Sequence, residues 1–290
     1  MANLRDLRKR RKSTANTKKI TRTMELVASA KLKKAQDAAS ASRPYAEAMR
    51  ALVSDLSASA GGLNHPLMAK RPVKRVAILV AASDRGLCGA FNANLVNLAV
   101  QRGKEHQAAG RAVEFIALGK KGGSTLAFAG FPASATHTGL VGATTFPQAE
   151  RLAAAVIPRF LSGQVDLIEV VYSRFISAAR QTPDHLVLLP AGGGGQAAKG
   201  KHAAHDFETI PEEPEDLLAG LIPATVRTAL FSALLQTSAG EHAARRVAMK
   251  NASDAASDMV KSLSIAYNRG RQGKITQEIA EIVGAVEAMA

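Results

Sequence analysis

Tryptophan is missing from this 290-residue sequence, cysteine occurs once, and aromatic residues make up only 4% of it. A lone cysteine, Cys88, excludes an internal disulfide and any cysteine-based zinc site, so a reducing compartment is the simpler setting. No run of 18 apolar residues occurs, so no membrane-spanning helix is expected. The N-terminus also lacks the apolar core of a signal peptide. Met1 to Thr23 is rich in Arg and Lys and nearly free of acid, like a mitochondrial transit peptide, but the apolar pattern runs on unbroken past it. Acidic residues are in short supply, 24 against 38 Lys and Arg, which leaves a formal net charge of +14. Such a balance implies an anionic partner, whether nucleic acid, lipid headgroups or an acidic protein surface, and charge alone does not choose.

Motifs for chemistry are equally scarce. The only glycine spacing after the first strand-like run is Gly86-x-x-Gly89, which is not the G-x-G-x-x-G fingerprint. Neither Gly119-Lys120 nor Gly273-Lys274 completes a G-x-x-x-x-G-K-[ST] loop. His202 and His205 have metal-ligand spacing but no third ligand, and they sit in a glycine-rich stretch, so they read as loop histidines. Cys88 has no recognisable base beside it and reads as a buried small residue rather than a nucleophile. Asp84 and Arg85 fit a local ion pair, a turn device or an interface contact. No metal or cofactor is expected.

Two long helices stand out at the ends. From about Thr225 to Glu287 the pattern is helical throughout, on the order of 95 Å at about 1.5 Å per residue. A compact chain of this length spans only about 50 Å, so the helix is expected to project. Ala252, Ala256, Met259, Leu263 and Ala266 form one heptad-like seam, and Ile275, Ile279, Ile282 and Val286 form another on roughly the opposite face. Between them lies the cationic collar Asn268-Arg-Gly-Arg-Gln-Gly-Lys274, read either as a solvated kink or as a contact point. Residues Leu4 to Leu56 are the second helix and the mate of the first, with Ile20, Met24, Val27 and Lys31 as its facing positions. A bend is expected near Ser42, ahead of Pro44.

The middle of the chain changes period. Val76–Ala82, Val113–Leu118, Leu167–Tyr172 and His185–Leu189 read as strands, and Ala90–Gln107, Lys120–Ala129 and Phe146–Leu161 as helices. The alternation predicts an α/β fold with an open, mostly parallel, Rossmann-like sheet beside the antiparallel coiled coil of the two terminal helices. The expected divisions are residues 1–60 (shaft helix), 61–72 (linker), 73–200 (α/β base), 201–216 (acidic connection) and 217–290 (shaft helix).

Three segments in this order carry a resemblance: Asn16-Thr-Lys-Lys-Ile-Thr-Arg-Thr-Met24-Glu-Leu-Val-Ala-Ser-Ala-Lys-Leu32, Ser83-Asp-Arg-Gly-Leu-Cys-Gly-Ala-Phe-Asn92, and Ala266-Tyr-Asn-Arg-Gly-Arg-Gln-Gly-Lys-Ile-Thr-Gln-Glu-Ile-Ala-Glu-Ile-Val283. They resemble the gamma subunit of the F-type ATP synthase. The resemblance spans the whole chain and is weakest over 103–147 and 192–205. It implies a non-catalytic rotor shaft inside a ring of alternating alpha and beta subunits, with ATP formed on the beta subunits. The base would lie beside the epsilon subunit and the proton-driven c-ring, with a delta subunit in the same complex, on the cytoplasmic face of a bacterial inner membrane.

Residue by residue, the resemblance gives Arg271, Gln272, Thr276 and Glu278 contacts to a beta-subunit loop, with Met24 as the residue packed opposite. It places Asp84, Arg85, Gly86, Leu87, Cys88 and Gly89 near the acidic lever of the beta subunits, and makes Phe207, Glu208, Glu212 and Glu213 a foot on the c-ring or epsilon subunit. Two features depart from the family: Gly270 and Gly273 stand where alanine is common, and the polyglycine stretch at 192–195 is a local elaboration. The alternative is a basic coiled-coil protein that binds nucleic acid.

Overall fold

Residues 4–59, 65–191 and 214–289 are described by the structure, a computed structural model, and they form two units. Helices α1 (Leu4–Ser59) and α5 (Pro214–Met289) contribute to both. The larger unit is Ser29–Arg245, and the smaller pairs the start of α1, up to Ala28, with α5 from Arg246 onward.

The larger unit is built on β1 (Arg75–Ala81), whose residues after Arg75 are all aliphatic and all buried. A strand buried on both faces belongs at the centre of a parallel sheet. It lies there, flanked by β2 (Ala112–Leu118) and β4 (Leu167–Phe175), both parallel to it. β3 (Ala135–His137) adds a parallel edge to β2, and β5 (Gln181–Leu189) pairs antiparallel with β4, giving the order β3-β2-β1-β4-β5. The sheet is thus α/β and mostly parallel, as the alternation of strand and helix patterns implies. β3 escaped the sequence pattern because Ala-Thr-His is three exposed residues with no apolar run. β5 begins four residues earlier than His185 and carries Pro183, which an edge strand tolerates because its outer side needs no ladder donor.

Alternation along β1 sends Ala77, Leu79 and Ala81 to one face and Val76, Ile78 and Val80 to the other. The first face is covered by α4 (Phe146–Leu161), through Leu152, Val156 and Phe160, and by α5, through Ile222, Val226, Leu230 and Leu234. The second is covered by α2 (Phe91–Ala108), through Leu95, Val96 and Ala99, and by Leu126 of α3 (Lys120–Phe128). Each fully buried Leu or Phe contributes about 1.5–3 kcal/mol, so both layers add substantially to stability. By length and composition alone a stretch of α5 within Ala219–Val286 is apolar enough to cross a membrane, although no uninterrupted apolar run is present. In the fold Ile222, Leu230 and Leu234 of that helix are core residues of the sheet.

In the smaller unit the two helices run antiparallel: Thr14 Oγ1 meets Met259 Sδ at 3.8 Å, Lys18 Nζ meets Ser257 Oγ at 3.0 Å, and the Arg11 guanidinium lies 4.9 Å from the centre of the Tyr267 ring. The facing stripe is not the most aliphatic one. On α5 it includes Met249, Ala252, Ser253, Ala256, Val260, Leu263 and Tyr267; Ala266 is exposed, and Met259 is largely exposed although its sulfur meets Thr14. On α1 Thr21 and Ala28 are buried, with Leu4, Leu7 and Met24 half-buried, whereas Ile20, Val27 and Lys31 are exposed. The expected seam therefore holds at Met24, Ala252, Ala256 and Leu263, while Ile20, Val27, Lys31, Met259 and Ala266 are exposed and Thr21, Ala28 and Ser253 are buried in addition. Small residues let the backbones approach, and Thr21 hides its hydroxyl by donating to the Thr17 and Lys18 carbonyls at 3.1 Å.

Both helices run through their weak points. α1 continues across Pro44, and the Ser42 hydroxyl donates to the Ala39 carbonyl just ahead of it. α5 continues across Gly270 and Gly273, so the collar is a stretch of unbroken helix.

Candidate functional site

The larger unit presents its most constrained loop where β1 ends. Ser83 is buried, and its amide and hydroxyl donate to Asn92 Oδ1 at 3.0 and 2.9 Å, tying the loop to the first turn of α2. Asp84 is a turn device: Oδ1 accepts from the Lys120 amide at 2.9 Å and Oδ2 from the Gly139 amide at 2.8 Å. The first of these amides opens α3, so a carboxylate from another loop satisfies the positive end of that helix. Among the three expectations for Asp84 and Arg85 this one is realised for Asp84, and Arg85 is exposed. Leu87 is held at φ +63° and is 61% exposed, so the loop thrusts an apolar side chain into solvent from a left-handed backbone.

Cys88 turns inward from the same loop and is buried, 3.4 Å from Asn92 Nδ2. Burial pushes its thiol above the ordinary value against the Ser83 hydrogen bond and the Arg245 charge, the reverse of an activated nucleophile.

The strand order places a topological switch between β1 and β4, the position at which open sheets bind nucleotides. Here that crevice is filled by α5. Thr237 Oγ1 accepts from the Ser173 amide at 3.2 Å near the end of β4, and a Cβ on Gly240 would lie 2.5 Å from Ser173 Oγ and 3.3 Å from the Phe91 ring. Glycine is what lets the helix sit so close. Beyond it Glu241, His242 and Arg245 face the loops: His242 Nε2 is 3.2 Å from the Gly142 carbonyl, and burial holds this imidazole below its ordinary value despite the Glu241 charge beside it.

A second buried charge cluster lies within the sheet. Arg102 of α2 grips Glu169 of β4 through both oxygens, at 2.7 and 3.2 Å, and His106 Nε2 lies 3.2 Å from the same carboxylate. With Glu169 almost inaccessible, it is an internal strut rather than a reacting group. Among the described residues no group of His, Cys, Asp and Glu is arranged to hold a metal ion.

In the smaller unit the collar residues Arg271, Gln272, Thr276 and Glu278 are exposed on one helix. Thr276 Oγ1 turns back to the Gln272 carbonyl at 3.0 Å, and Glu278 pairs with Lys274 at 3.6 Å. What α1 brings to the collar is Leu4, 3.2 Å from the position of a Cβ on Gly270, and Arg11 over Tyr267. Met24 lies several turns further along α1, beyond Lys18, and is not gathered with them. Leu4, beside Gly270, is the first described residue of α1. Ile275, Ile279, Ile282 and Val286 are all exposed, together with Val283. Phe207, Glu208, Glu212 and Glu213, like His202 and His205, lie outside the described residues.

Sequence reasoning missed Glu241, His242 and Arg245. Their only signal is polar residues on a helical stretch whose neighbours Ala239, Gly240 and Ala243 are small, and it reads equally well as a solvated face. It also missed Arg11 and Tyr267, whose contact depends on inter-helix register.

Comparison with known proteins gives consistent matches. A family model described as ATP synthase matches residues 3–289. The ATP synthase gamma chain of Leptospira biflexa is 41% identical over 291 residues, covering all of both chains. That of Nitratidesulfovibrio vulgaris is 39% identical, covering all of this chain and 99% of the other. Among solved structures, a chain of the Euglena gracilis mitochondrial ATP synthase superposes with a TM-score of 0.65 at 20% identity, covering 99% of this chain and 94% of that one. A chain from the central stalk and c-ring of the Tetrahymena thermophila mitochondrial enzyme gives 0.60 at 24% identity, covering 81% and 99%.

Proposed function

We propose that this chain, which belongs to the ATP synthase gamma-chain family, is the rotor shaft of the complex and couples rotation of a proton-driven c-ring to conformational change in catalytic beta subunits. The observation that carries the reading is the end of α5, where four aliphatic residues at heptad spacing stand exposed and uncovered by any described residue. An apolar stripe of that kind requires another protein around it. Aliphatic contacts are non-directional, so they give a shaft a bearing surface without locking it at one angle. The outward Ile20, Leu26 and Val27 extend the same property along α1.

In this reading a ring of alternating alpha and beta subunits is the sleeve. Arg271, Gln272, Thr276 and Glu278 supply the directional contacts that a loop of one beta subunit catches, Met24 adds an apolar contact lower on α1, and the loop from Asp84 to Gly89 meets the acidic lever of a beta subunit. Phe207, Glu208, Glu212 and Glu213 form the foot on the c-ring or epsilon subunit, and a delta subunit belongs to the same complex. The assembly sits on the cytoplasmic face of a bacterial inner membrane. The chain does no chemistry itself, in keeping with a nucleotide crevice filled by α5.

Reconstitution tests this. Mixed with purified alpha and beta subunits, the chain is expected to enter a defined complex and raise ATP hydrolysis well above that of the two alone. Failure to assemble, together with steeply salt-dependent binding to duplex DNA in the presence of both subunits, would favour a nucleic-acid partner instead.

A further inference from the structure

Arg245 stands at the end of the larger unit with its guanidinium under the 83–89 loop. Nη2 reaches the carbonyl oxygens of Arg85 and Gly86, both at 3.3 Å, and Glu241 Oε1 at 2.6 Å, one helical turn back on α5. Nη1 lies 3.5 Å from His242 Nδ1. Both members of the pair are largely buried, and Glu241 Oε2 has no hydrogen-bond partner among the described residues. A buried carboxylate with one oxygen unsatisfied is costly unless a cation is held against it, so Arg245 is fixed by Glu241 rather than free to sample solvent.

The loop needs such a tether. Asp84 anchors its beginning to Lys120 and Gly139, Asn92 anchors Ser83, the Ser83 hydroxyl meets the Arg85 carbonyl at 2.6 Å, and Asn92 Nδ2 and the Phe91 amide hold Cys88 at 3.4 and 3.3 Å, which leaves the Gly86–Leu87 stretch between them. The segment that follows includes Leu87 in its left-handed conformation, which is strained for a side-chain-bearing residue and persists only where its surroundings hold it. Two carbonyls of that segment, those of Arg85 and Gly86, end on Arg245.

We infer that Arg245, locked in place by Glu241, is the positioning residue that ties the partner-facing loop 83–89 to α5. Helix and loop then move as one body, and Leu87 is presented to the beta subunit at a fixed height. The inference rests on the proposed contact between this loop and a beta subunit. It adds a mechanical requirement: displacement of α5 reaches the contact through Nη2, the one nitrogen that meets both carbonyls and the carboxylate, and a lysine ammonium, one bond closer to the backbone, reaches that point only if helix and loop draw together.

Cys88 is the natural reporter, being the only cysteine and buried beneath the same loop. In the full chain, its modification by a thiol reagent such as Ellman's reagent should be at least tenfold faster in Arg245→Gln than in the parent. Arg245→Lys, which keeps a cation opposite Glu241, should melt close to the parent yet expose Cys88 to an intermediate degree. Lys250→Gln, exposed further along α5, should match the parent. In the complex reconstituted with alpha and beta subunits, Arg245→Lys should lower turnover at saturating ATP at least threefold. Cys88 as protected in Arg245→Gln and Arg245→Lys as in the parent would overturn the tether. Fast modification with unchanged turnover would overturn the positioning role by removing the loop contact on which it rests. Failure of the parent itself to assemble would strike the rotor reading alone, since the thiol measurement is made on the isolated chain.

Discussion

At Gly119 the backbone φ is +136°, and an added Cβ would lie 2.1 Å from the Ala82 carbonyl oxygen. Neither the left-handed torsion nor the backbone contact can relax by a side-chain rotation, because both partners directly follow the paired ends of β1 and β2 and the Ala82 amide donates to the Leu118 carbonyl at 3.1 Å. Gly119→Ala should therefore destabilise the fold by about 3 kcal/mol or more, read as a lowered urea midpoint with an unchanged slope. The collar glycines differ in kind. A Cβ on Gly273 meets nothing within 4 Å, so Gly273→Ala should stabilise the helix by about 0.5–1 kcal/mol. At Gly270 a Cβ would press on Leu4 at 3.2 Å, and the gain from Gly270→Ala should be smaller. Urea unfolding of the two variants side by side separates them, and equal shifts would deny that α1 packs there.

Elements depend on carboxylates placed at their ends. Asp166 precedes β4, and its Oδ2 accepts from the Lys74 and Arg75 amides at 3.0 and 2.9 Å, pinning the entry to β1. Burial alone would raise this carboxyl, but those two amides and the Arg71 and Arg75 charges outweigh it and hold the group below the ordinary carboxylate range. A carboxylate depressed on folding stabilises the fold above its unfolded value, about 3.9, and that contribution is lost as pH falls through the lower folded value. Asp166→Asn should thus cost stability at pH 7 and flatten the loss between pH 5 and pH 2. Thermal melts across that range check the slope, and parallel curves for parent and variant would contradict it.

Legibility varied with the type of element. The aliphatic runs of β1 and β4 and the long terminal helices announced themselves because burial on two faces, or a heptad stripe, leaves a periodic trace. The three-residue β3 and the start of β5 left none, since an exposed edge imposes no apolar pattern. The helix–helix seam was legible in part: Met24, Ala252, Ala256 and Leu263 lie on the covered side as their spacing implies, but Thr21 and Ser253 are buried where the more apolar Ile20, Val27 and Met259 are exposed. Hydrophobicity alone does not separate an exposed apolar stripe from a covered one when small and hydroxyl residues make the closer helix contact. The 83–89 loop was legible as a segment, but its tether was not, since Arg245 is 160 residues from Arg85 in the chain.

On the scale of the whole molecule, the chain combines a sheet unit whose switch point is packed by its own helix with a helical pair that shows aliphatic and cationic side chains outward. Arg271 is exposed and contributes no ion pair within the described chain, so a structural role would leave little for its removal to disturb. Arg271→Ala should slow hydrolysis by the assembled complex several-fold while leaving the melting temperature of this chain within about a degree or two, the usual range for an exposed substitution. Matched losses in both would make the residue a stabiliser instead.

The rotor-shaft reading is tested most directly by watching rotation. With the alpha and beta ring fixed to a surface and a bead carried on an exposed position of this chain's sheet unit, ATP should drive sustained, unidirectional turning in discrete steps. ATP hydrolysis at the normal rate with the bead stationary, in complexes that contain the chain, would contradict it.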